Sequence, residues 1–222
     1  MDTTVTIPRI QTFVLGDFQT NCFAVTPADP APGAPCWIVD CGFDPDAMLD
    51  AIEHQELRPV ALILTHAHAD HIAGVDRARA RFGELPVHLH AAERGFCTDP
   101  MLNLSGPMGM PVTCAEPEHW LAGGDELELD GTRWQVRHAP GHSPGCVILV
   151  HEPSRQAIVG DTLFAGSIGR IDFPTSDPAA MRRSLDTVLM ALDDAVTVHP
   201  GHGPATTIGV ERRSNPFILG GF

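Results

Sequence analysis

Thr65-His66-Ala67-His68-Ala69-Asp70-His71 places three imidazoles and a carboxylate within six residues, directly after the apolar run Val60–Leu64. Neutral imidazole nitrogens and carboxylate oxygens bind Zn²⁺, Fe²⁺ or Mn²⁺, and mixed nitrogen and oxygen sets are typical of catalytic rather than closed structural sites. The stretch also follows a predicted strand and precedes a predicted helix, where an open α/β sheet carries its chemistry. The sequence therefore predicts a metalloenzyme.

Three later turns offer further metal-ligating side chains. Each turn is rich in glycine and follows a predicted strand, so that backbone and side chain are exposed at one end of a sheet. The turns and their ligands are Pro140–Gly145 with His142, Val159–Thr162 with Asp161, and His199–Pro204 with His202. We expect the four ligand-bearing stretches to converge on one edge.

The order of these motifs resembles the metallo-β-lactamase superfamily, in which His-x-His-x-Asp-His precedes a lone His, a bridging Asp and a second lone His. Within it the chain is most similar to the single-domain, glyoxalase II-like hydrolases, through Gly169–Pro174, the turn Pro200–Pro204 and the tail Glu211–Phe217. The resemblance runs from about Arg9 to Leu219. It implies one domain over residues 1–222, a four-layer αβ/βα sandwich of two mixed sheets flanked by helices.

The resemblance also implies two divalent metal ions, with zinc expected first and iron or manganese as alternatives. The implied ligands are His66, His68 and His142 for one ion and Asp70, His71 and His202 for the other, with Asp161 bridging both. Two cations that share a water lower its pKa from about 15.7 toward about 7, so that hydroxide is available at neutral pH. Asp70 and Asp161, the two carboxylates of the implied ligand set, are the predicted catalytic residues.

Other residues near these motifs are predicted to support the site. Asp40, His138 and His199 are expected to orient ligands without binding the metal. Arg170 falls where the family places a basic contact to glutathione, although an ion pair within its own turn is an equal alternative. The apolar, Met-rich segment Thr98–Pro111 is interpreted either as a packed surface loop or as a flap over the substrate.

The predicted reaction is hydrolysis of an acyl compound, most specifically the thioester of S-D-lactoylglutathione or a related acyl-glutathione. A thiolate leaves readily, so that no strong general acid is required. The chain has no tyrosine, and it ends at Phe222, before the additional helical domain that two-domain glyoxalase II enzymes use to bind glutathione. The expected partner is thus a small-molecule thioester, with its exact identity open.

The main alternative is an iron persulfide dioxygenase of the same superfamily, acting on glutathione persulfide. Such enzymes share a Pro-Gly-Cys like Pro144–Cys146 and would hold a single Fe²⁺ with His66, His142 and Asp161. They typically show Pro-Ala-His-Asp-Tyr where this chain has Pro200–Pro204, which favours the hydrolase.

A β-lactamase is disfavoured because those enzymes lack the bridging Asp, and a lactonase because that family often recruits tyrosine. A non-enzymatic metal-binding module is the least favoured class.

Composition excludes several partners. A net charge of -14 disfavours nucleic acid, because phosphate binding needs a basic surface. Met1–Val5 lacks a signal-peptide pattern, and no apolar run approaches the ~20 residues of a membrane span, so that a cytoplasmic protein is expected. The oligomeric state stays open. The cysteines are expected to be reduced and buried: Cys22, Cys36, Cys41, Cys97, Cys114 and Cys146.

Overall fold

A computed structural model describes residues 7–83 and 85–221. Met1–Val5, on which the expectation of no signal peptide rests, lies outside the described residues. In chain order the strands are β1 (Arg9–Leu15), β2 (Thr20–Thr26), β3 (Pro35–Val39), β4 (Arg58–Ile63), β5 (Val87–His90), β6 (His119–Leu121), β7 (Glu126–Leu129), β8 (Thr132–His138), β9 (Val147–His151), β10 (Gln156–Gly160), β11 (Thr197–Pro200) and β12 (Thr206–Thr207). The helices are α1 (Asp46–His54), α2 (Ala69–Ile72), α3 (Val75–Phe82), α4 (Pro178–Ser184), α5 (Ile208–Ser214) and α6 (Pro216–Leu219).

The strands form two mixed sheets. The first has the order β1-β2-β3-β4-β5-β6, antiparallel from β1 to β3 and parallel from β3 to β6. The second has the order β12-β11-β10-β9-β8-β7, in which β10 and β11 are parallel and the other neighbours are antiparallel. The first half of the chain thus builds one sheet and the second half builds the other.

The two sheets pack face to face, with helices on their outer faces. Between them lies an apolar core to which both sheets contribute, and Trp37 of β3 meets Trp134 of β8 with ring centroids 6.1 Å apart. Outside the first sheet, α1 buries Met48, Leu49 and Ile52. Helices α4 and α5 cover the second sheet in the same way. The four-layer αβ/βα sandwich implied by the resemblance is confirmed.

Helix boundaries differ from the sequence prediction at two places. The pair Asp44-Pro45 predicts a helix with Asp44 as its cap and Pro45 as its first residue, but Asp44 has φ +51° and Pro45 occupies the cap, so that α1 begins at Asp46. The sequence also predicts one helix from Asp70 to Phe82, whereas the structure divides this stretch into α2 and α3. The division occurs because the Gly74 amide donates to the Cys41 carbonyl at 2.8 Å, outside the helical pattern.

Other predicted features agree or need one amendment. The pair Asp177-Pro178 predicts the start of a helix that runs to about Leu192; Asp177 caps α4 by accepting from two backbone amides, but α4 ends at Ser184 and passes into a wider π-type turn over Leu185–Leu189. The short strands β6 and β12 were not predicted. All six cysteines are buried and free. Within the described residues, every helix is too short or too polar to cross a membrane.

Candidate metal centre

The ligand-bearing segments meet where the two sheets touch. His66 and His68 follow β4, and Asp70 and His71 belong to α2. The other candidates follow strands of the second sheet, namely His142 after β8, Asp161 after β10 and His202 after β11. Hydrogen bonds join the sheets beside them, from the Val147 amide to the Thr65 carbonyl at 2.9 Å and from the Asn21 amide to the Gly201 carbonyl at 2.7 Å. The expected convergence on one edge is observed.

The seven predicted ligands form one continuous cluster. Their nitrogen and oxygen atoms lie within 4.8 Å of one another in three overlapping groups: His66, His68 and His142; His66, His71 and Asp161; and Asp70, His71 and His202. Asp161 is central, because one of its oxygens lies 3.4 Å from His71 Nε2 and the other lies 3.5 Å from His142 Nε2 and 3.4 Å from His202 Nε2. Its position between the groups is compatible with a bridging ligand.

Several polar atoms of the cluster are buried without a hydrogen-bond partner among the described residues. They are Nε2 of His66, His68 and His71, and Oδ1 of Asp161. A buried polar atom left unpaired costs about 1–3 kcal/mol, so that such a concentration needs a physical reason. Imidazole nitrogens and carboxylate oxygens are suitable ligands for divalent metals. The residues present fit metal ions, and the cluster is a His/Asp metal-binding site.

Most cluster histidines are oriented through the nitrogen that faces away from the cluster. His71 Nδ1 lies 2.9 Å from the buried Asp40 carboxylate, which also accepts from the amide and hydroxyl of Thr65 at 2.7 Å. Two other rings are held by backbone carbonyls: His142 Nδ1 lies 2.8 Å from the Arg170 carbonyl oxygen, and His202 Nδ1 lies 3.1 Å from the Phe18 carbonyl oxygen. Such partners fix the ring and direct Nε2 inward. The structure therefore places Asp40 where an orienting residue belongs.

The other two histidines expected to orient ligands lie outside the cluster. His138 Nε2 pairs with the Pro144 carbonyl at 2.8 Å, and its ring stacks on His90. It therefore braces the turn that carries His142 instead of contacting a ligand side chain. His199 Nε2 lies 2.6 Å from Gln156 Oε1, a contact within the second sheet. Both histidines flank ligand turns in sequence, but their side chains point along the strands to other partners.

Charge is divided unevenly over the cluster. Burial, followed by the neighbouring His142, lowers the pKa of His68 to about 3, so that this ring is neutral and able to bind a metal. On the other side, burial opposes protonation of His202, but the hydrogen bonds that its ring donates to the Asp161 and Asp70 carboxylates outweigh it and raise the pKa of His202 to about 10. Metal binding at His202 would therefore release a proton.

Glu93 is a buried carboxylate that the sequence analysis missed. Its oxygens accept hydrogen bonds from the amides of Ala67 and Gly145 and from the Ser143 hydroxyl. Ala67 separates His66 from His68, and Ser143 follows His142, so Glu93 ties together ligand stretches from both sheets. No local motif marks it, because its partners lie 26 to 52 residues away.

Asn103 organises the segment Thr98–Pro111, which forms one wall of the site. Its side-chain amide donates to the carbonyls of Phe96 and Val112, and its Oδ1 accepts from Ser105. Its own carbonyl accepts from the Ala69 amide beside the first ligands. The segment is thus a braced loop in contact with the cluster. Whether it also moves as a flap stays a prediction.

A cavity of about 500 Å³ opens onto the cluster. Asp70, His68, His142, Asp161 and His202 form its floor. Its walls are Phe18, Asn103, Leu104, Pro107, Met108, Phe164, Arg170, Phe173 and Pro174. A volume of this size suits a small-molecule substrate.

Gly201 allows the close approach of Asp161. A Cβ atom at Gly201 would overlap Asp161 Oδ1 and would lie 2.9 Å from His71 Cε1 and 3.2 Å from the Gly160 carbonyl carbon, and φ there is not left-handed, so that the obstacle is steric. We expect Gly201→Ala to displace the carboxylate and lower kcat/KM about 100-fold, the usual cost of a misplacement of about 1 Å. Gly220→Ala, remote from the cluster, should leave kcat/KM within about twofold. Equal activity of both variants, with unchanged melting, would contradict this account of Gly201.

Comparisons with known proteins identify the family. The model of the metallo-beta-lactamase superfamily matches residues 15–202. The chain is 34% identical to "Hydroxyacylglutathione hydrolase GloC" of Haemophilus influenzae over 203 residues, which are 90% of this chain and 93% of that protein. The solved structure of "BLEG-1 B3 metallo-beta-lactamase" is 37% identical, with a TM-score of 0.89, and the match covers 96% of this chain and 100% of that one. The structure of "TTHA1623 in a di-iron-bound form" is 35% identical, with a TM-score of 0.79, and the match covers 93% of this chain and 99% of that one.

This chain belongs to the metallo-β-lactamase superfamily. Members of this class are metal-dependent hydrolases, and the His/Asp cluster described above is the corresponding metal-binding site. The predictions of a metal-dependent hydrolase and of divalent metal ligation are confirmed at this level.

Proposed function

We propose that this protein is a dinuclear metal-dependent thioesterase that hydrolyses acyl-glutathione compounds, with S-D-lactoylglutathione as the first substrate to test. The observation that carries the proposal is the continuous seven-residue cluster at the floor of a substrate-sized cavity. Similarity to a protein named as a hydroxyacylglutathione hydrolase supports the choice of thioester.

The proposed ligand sets are those expected from the resemblance. His66, His68 and His142 would hold one ion, Asp70, His71 and His202 would hold the other, and Asp161 would be shared between them. When bound, two such ions polarise an acyl carbonyl and lower the pKa of water to about 7. In the reaction the water oxygen bonds to the acyl carbon, the C–S bond breaks, one water proton leaves with the thiol, and the other is released when the carboxylic acid product ionises.

Asp70 is the carboxylate best placed to handle a proton during this reaction. It lines the cavity and is 16% exposed, whereas Asp161 is almost covered. Its Oδ2 accepts from the Thr20 hydroxyl at 2.9 Å and lies 3.2 Å from His202 Nε2. Burial raises the pKa of Asp70, but His71 and His202 outweigh it and lower the value to about 2, so that the group is ionised at neutral pH. We assign Asp70 primarily as a metal ligand, with proton transfer as its secondary role.

The proposal is tested by steady-state hydrolysis of S-D-lactoylglutathione with metal-quantified protein. We expect kcat/KM above about 10⁴ M⁻¹s⁻¹, the lower end for dedicated enzymes. A chromogenic cephalosporin should be assayed in parallel, because one similar protein bears the name of a B3 metallo-β-lactamase. Failure to hydrolyse any thioester with zinc, manganese or iron loaded would refute the thioesterase assignment.

Persulfide dioxygenation requires a separate assay. That alternative needs only His66, His142 and Asp161 around one iron, whereas the structure also gathers Asp70, His71 and His202. The additional group favours the hydrolase. Oxygen uptake with glutathione persulfide by iron-loaded protein, without thioester hydrolysis, would reverse this preference.

Arg170 is proposed to contact a carboxylate of the glutathione moiety. It lines the cavity, is exposed, and forms a two-pronged ion pair with Asp172 at 2.9 Å while lying over the Phe173 ring. An exposed pair of this kind is worth little to stability, so that the guanidinium is available to a substrate anion. We expect Arg170→Ala to raise KM for S-D-lactoylglutathione about 3- to 10-fold with kcat nearly unchanged. Arg183→Ala is the control, and an unaltered KM would remove the anion-binding role.

A further inference from the structure

The cavity above the metal cluster is apolar on the sides that face away from the ligands. Leu104, Pro107 and Met108 come from the braced loop, and Phe164 and Phe173 come from the stretch after Asp161. Phe173 packs edge-on against His68 and His142, with centroids 5.6 and 5.7 Å apart. Phe164 meets His202 in the same manner at 5.8 Å. Apolar walls thus begin directly beside the ligands.

Positive charge at the cavity is sparse. The chain contains fourteen arginines and no lysine, and its net charge is -14. Among the described residues that line the cavity, Arg170 is the one with a permanently cationic side chain. Its partner Asp172 already balances part of that charge. The cavity walls therefore offer few cationic side chains that could bind a polar or multiply charged group next to the scissile bond.

Leu104 is held in an unusual conformation that favours this apolar wall. Its φ is +70°, a left-handed value that a bulky residue adopts only when its surroundings impose it. The imposing groups are its neighbours Asn103 and Ser105, which are fully buried and hydrogen-bonded to each other; Asn103 also donates to the Val112 carbonyl, and the Ser105 hydroxyl accepts from the Val112 amide. Strain of this kind concentrates at functional sites, and here it places a leucine at the cavity surface.

We propose that the cavity of this enzyme accepts an apolar acyl chain, so that the preferred thioesters carry a medium-length aliphatic acyl group in place of a small hydroxyacyl group. The proposal rests on the thioesterase function above and specifies its substrate class. The acyl chain lies against Leu104, Met108 and Phe164. The thiol moiety extends past Arg170 toward solvent, where one carboxylate is recognised.

The test compares S-hexanoylglutathione with S-D-lactoylglutathione, which share the same thiol and differ only in the acyl group. We expect kcat/KM for the hexanoyl thioester to be at least about tenfold higher, because each added methylene contributes apolar contact. Calorimetry gives a readout independent of turnover. S-hexylglutathione, which cannot be hydrolysed, should bind at least about tenfold more tightly than S-methylglutathione.

Leu104→Gly separates specificity from folding. Glycine adopts positive φ without strain, so that the variant should melt no lower than the parent while losing its apolar side chain. We expect the hexanoyl-to-lactoyl ratio of kcat/KM to fall about tenfold. Leu104→Asn, which also tolerates this φ, should lower the ratio in the same direction. Met101→Ala is the matched control, because Met101 is exposed in the same loop but does not line the cavity.

The outcomes distinguish the two levels of the proposal. Faster hydrolysis of S-D-lactoylglutathione, or an unchanged ratio in both Leu104 variants, would overturn the acyl-chain inference and leave the thioesterase function intact. Hydrolysis of neither thioester would overturn the proposed function, and the calorimetric comparison would still decide what the cavity binds. Equal affinity for the hexyl and methyl thioethers would refute the apolar subsite.

Discussion

Asp161→Asn is expected to eliminate turnover and metal retention together. Asp161 is the residue whose carboxylate lies within 3.5 Å of ring nitrogens of His71, His142 and His202. An amide has the same shape, but it lacks the negative charge and offers only one acceptor oxygen. We expect kcat/KM to fall by at least about 10³-fold, the scale of losing a central electrostatic group. Metal per chain, measured by mass spectrometry after dialysis, should fall in parallel.

A matched carboxylate tests whether this effect is specific. Asp46→Asn removes an exposed charge of α1 that pairs with Arg77 of α3, away from the metal cluster. Exposed ion pairs contribute little to the free energy of unfolding, so that the activity and the metal content of Asp46→Asn should stay within about twofold of the parent. Full metal retention by Asp161→Asn, with unaltered kcat/KM, would exclude Asp161 as a bridging ligand.

Glu93→Ala is expected to be the most damaging change outside the ligand set. It would leave the amides of Ala67 and Gly145 and the Ser143 hydroxyl as buried donors without their acceptor. At about 1–3 kcal/mol for each unsatisfied donor, the free energy of unfolding should fall by about 3 kcal/mol or more. Because the stretches on either side carry ligands, metal affinity should also fall about 10- to 100-fold. Urea unfolding and competitive metal titration measure the two effects.

Ser143→Ala separates positioning by Glu93 from general core damage. It removes one of the three donors while the Glu93 carboxylate keeps the other two, so that a loss of about 1 kcal/mol and near-normal metal affinity are expected. Rescue is informative as well. Glu93→Gln retains one acceptor oxygen and should recover part of the stability, but its amide group would oppose a backbone donor and leave metal affinity low. Metal affinity that follows stability equally in all three variants would argue against a positioning role.

The sequence was sufficient to predict the cluster because its ligands lie in short turns after strands. Three of the four ligand-bearing stretches combine a metal-binding side chain with glycine, and their order along the chain resembles that of the superfamily whose model matches residues 15–202. Parallel strand direction then brings the turns to one edge, as β10 and β11 show for Asp161 and His202. Local chemistry and topology agree here, and the seven residues lie together as the sequence predicts.

Features that depend on distant packing were not predictable in this way. Glu93 follows β5 in an ordinary Ala-Ala-Glu turn, and only the folded chain shows that it lies beneath the ligand loops. Asn103 and Leu104 resemble loop residues until their buried bonds and left-handed backbone are known. His199 illustrates the reverse error, since proximity in sequence to His202 suggested a role that its contact with Gln156 does not provide.

Because the candidate ligands are divided between the two sheets, metal binding would also stabilise the packing of one sheet against the other. His66, His68, Asp70 and His71 belong to the first half of the chain, and His142, Asp161 and His202 belong to the second. An ion held by both sets is a cross-link that exists only while the halves are docked. At 100 times its dissociation constant such a ligand stabilises the folded state by about 2.7 kcal/mol. Metal scarcity in a cell would thus raise the unfolded fraction of this chain as well as slow its chemistry.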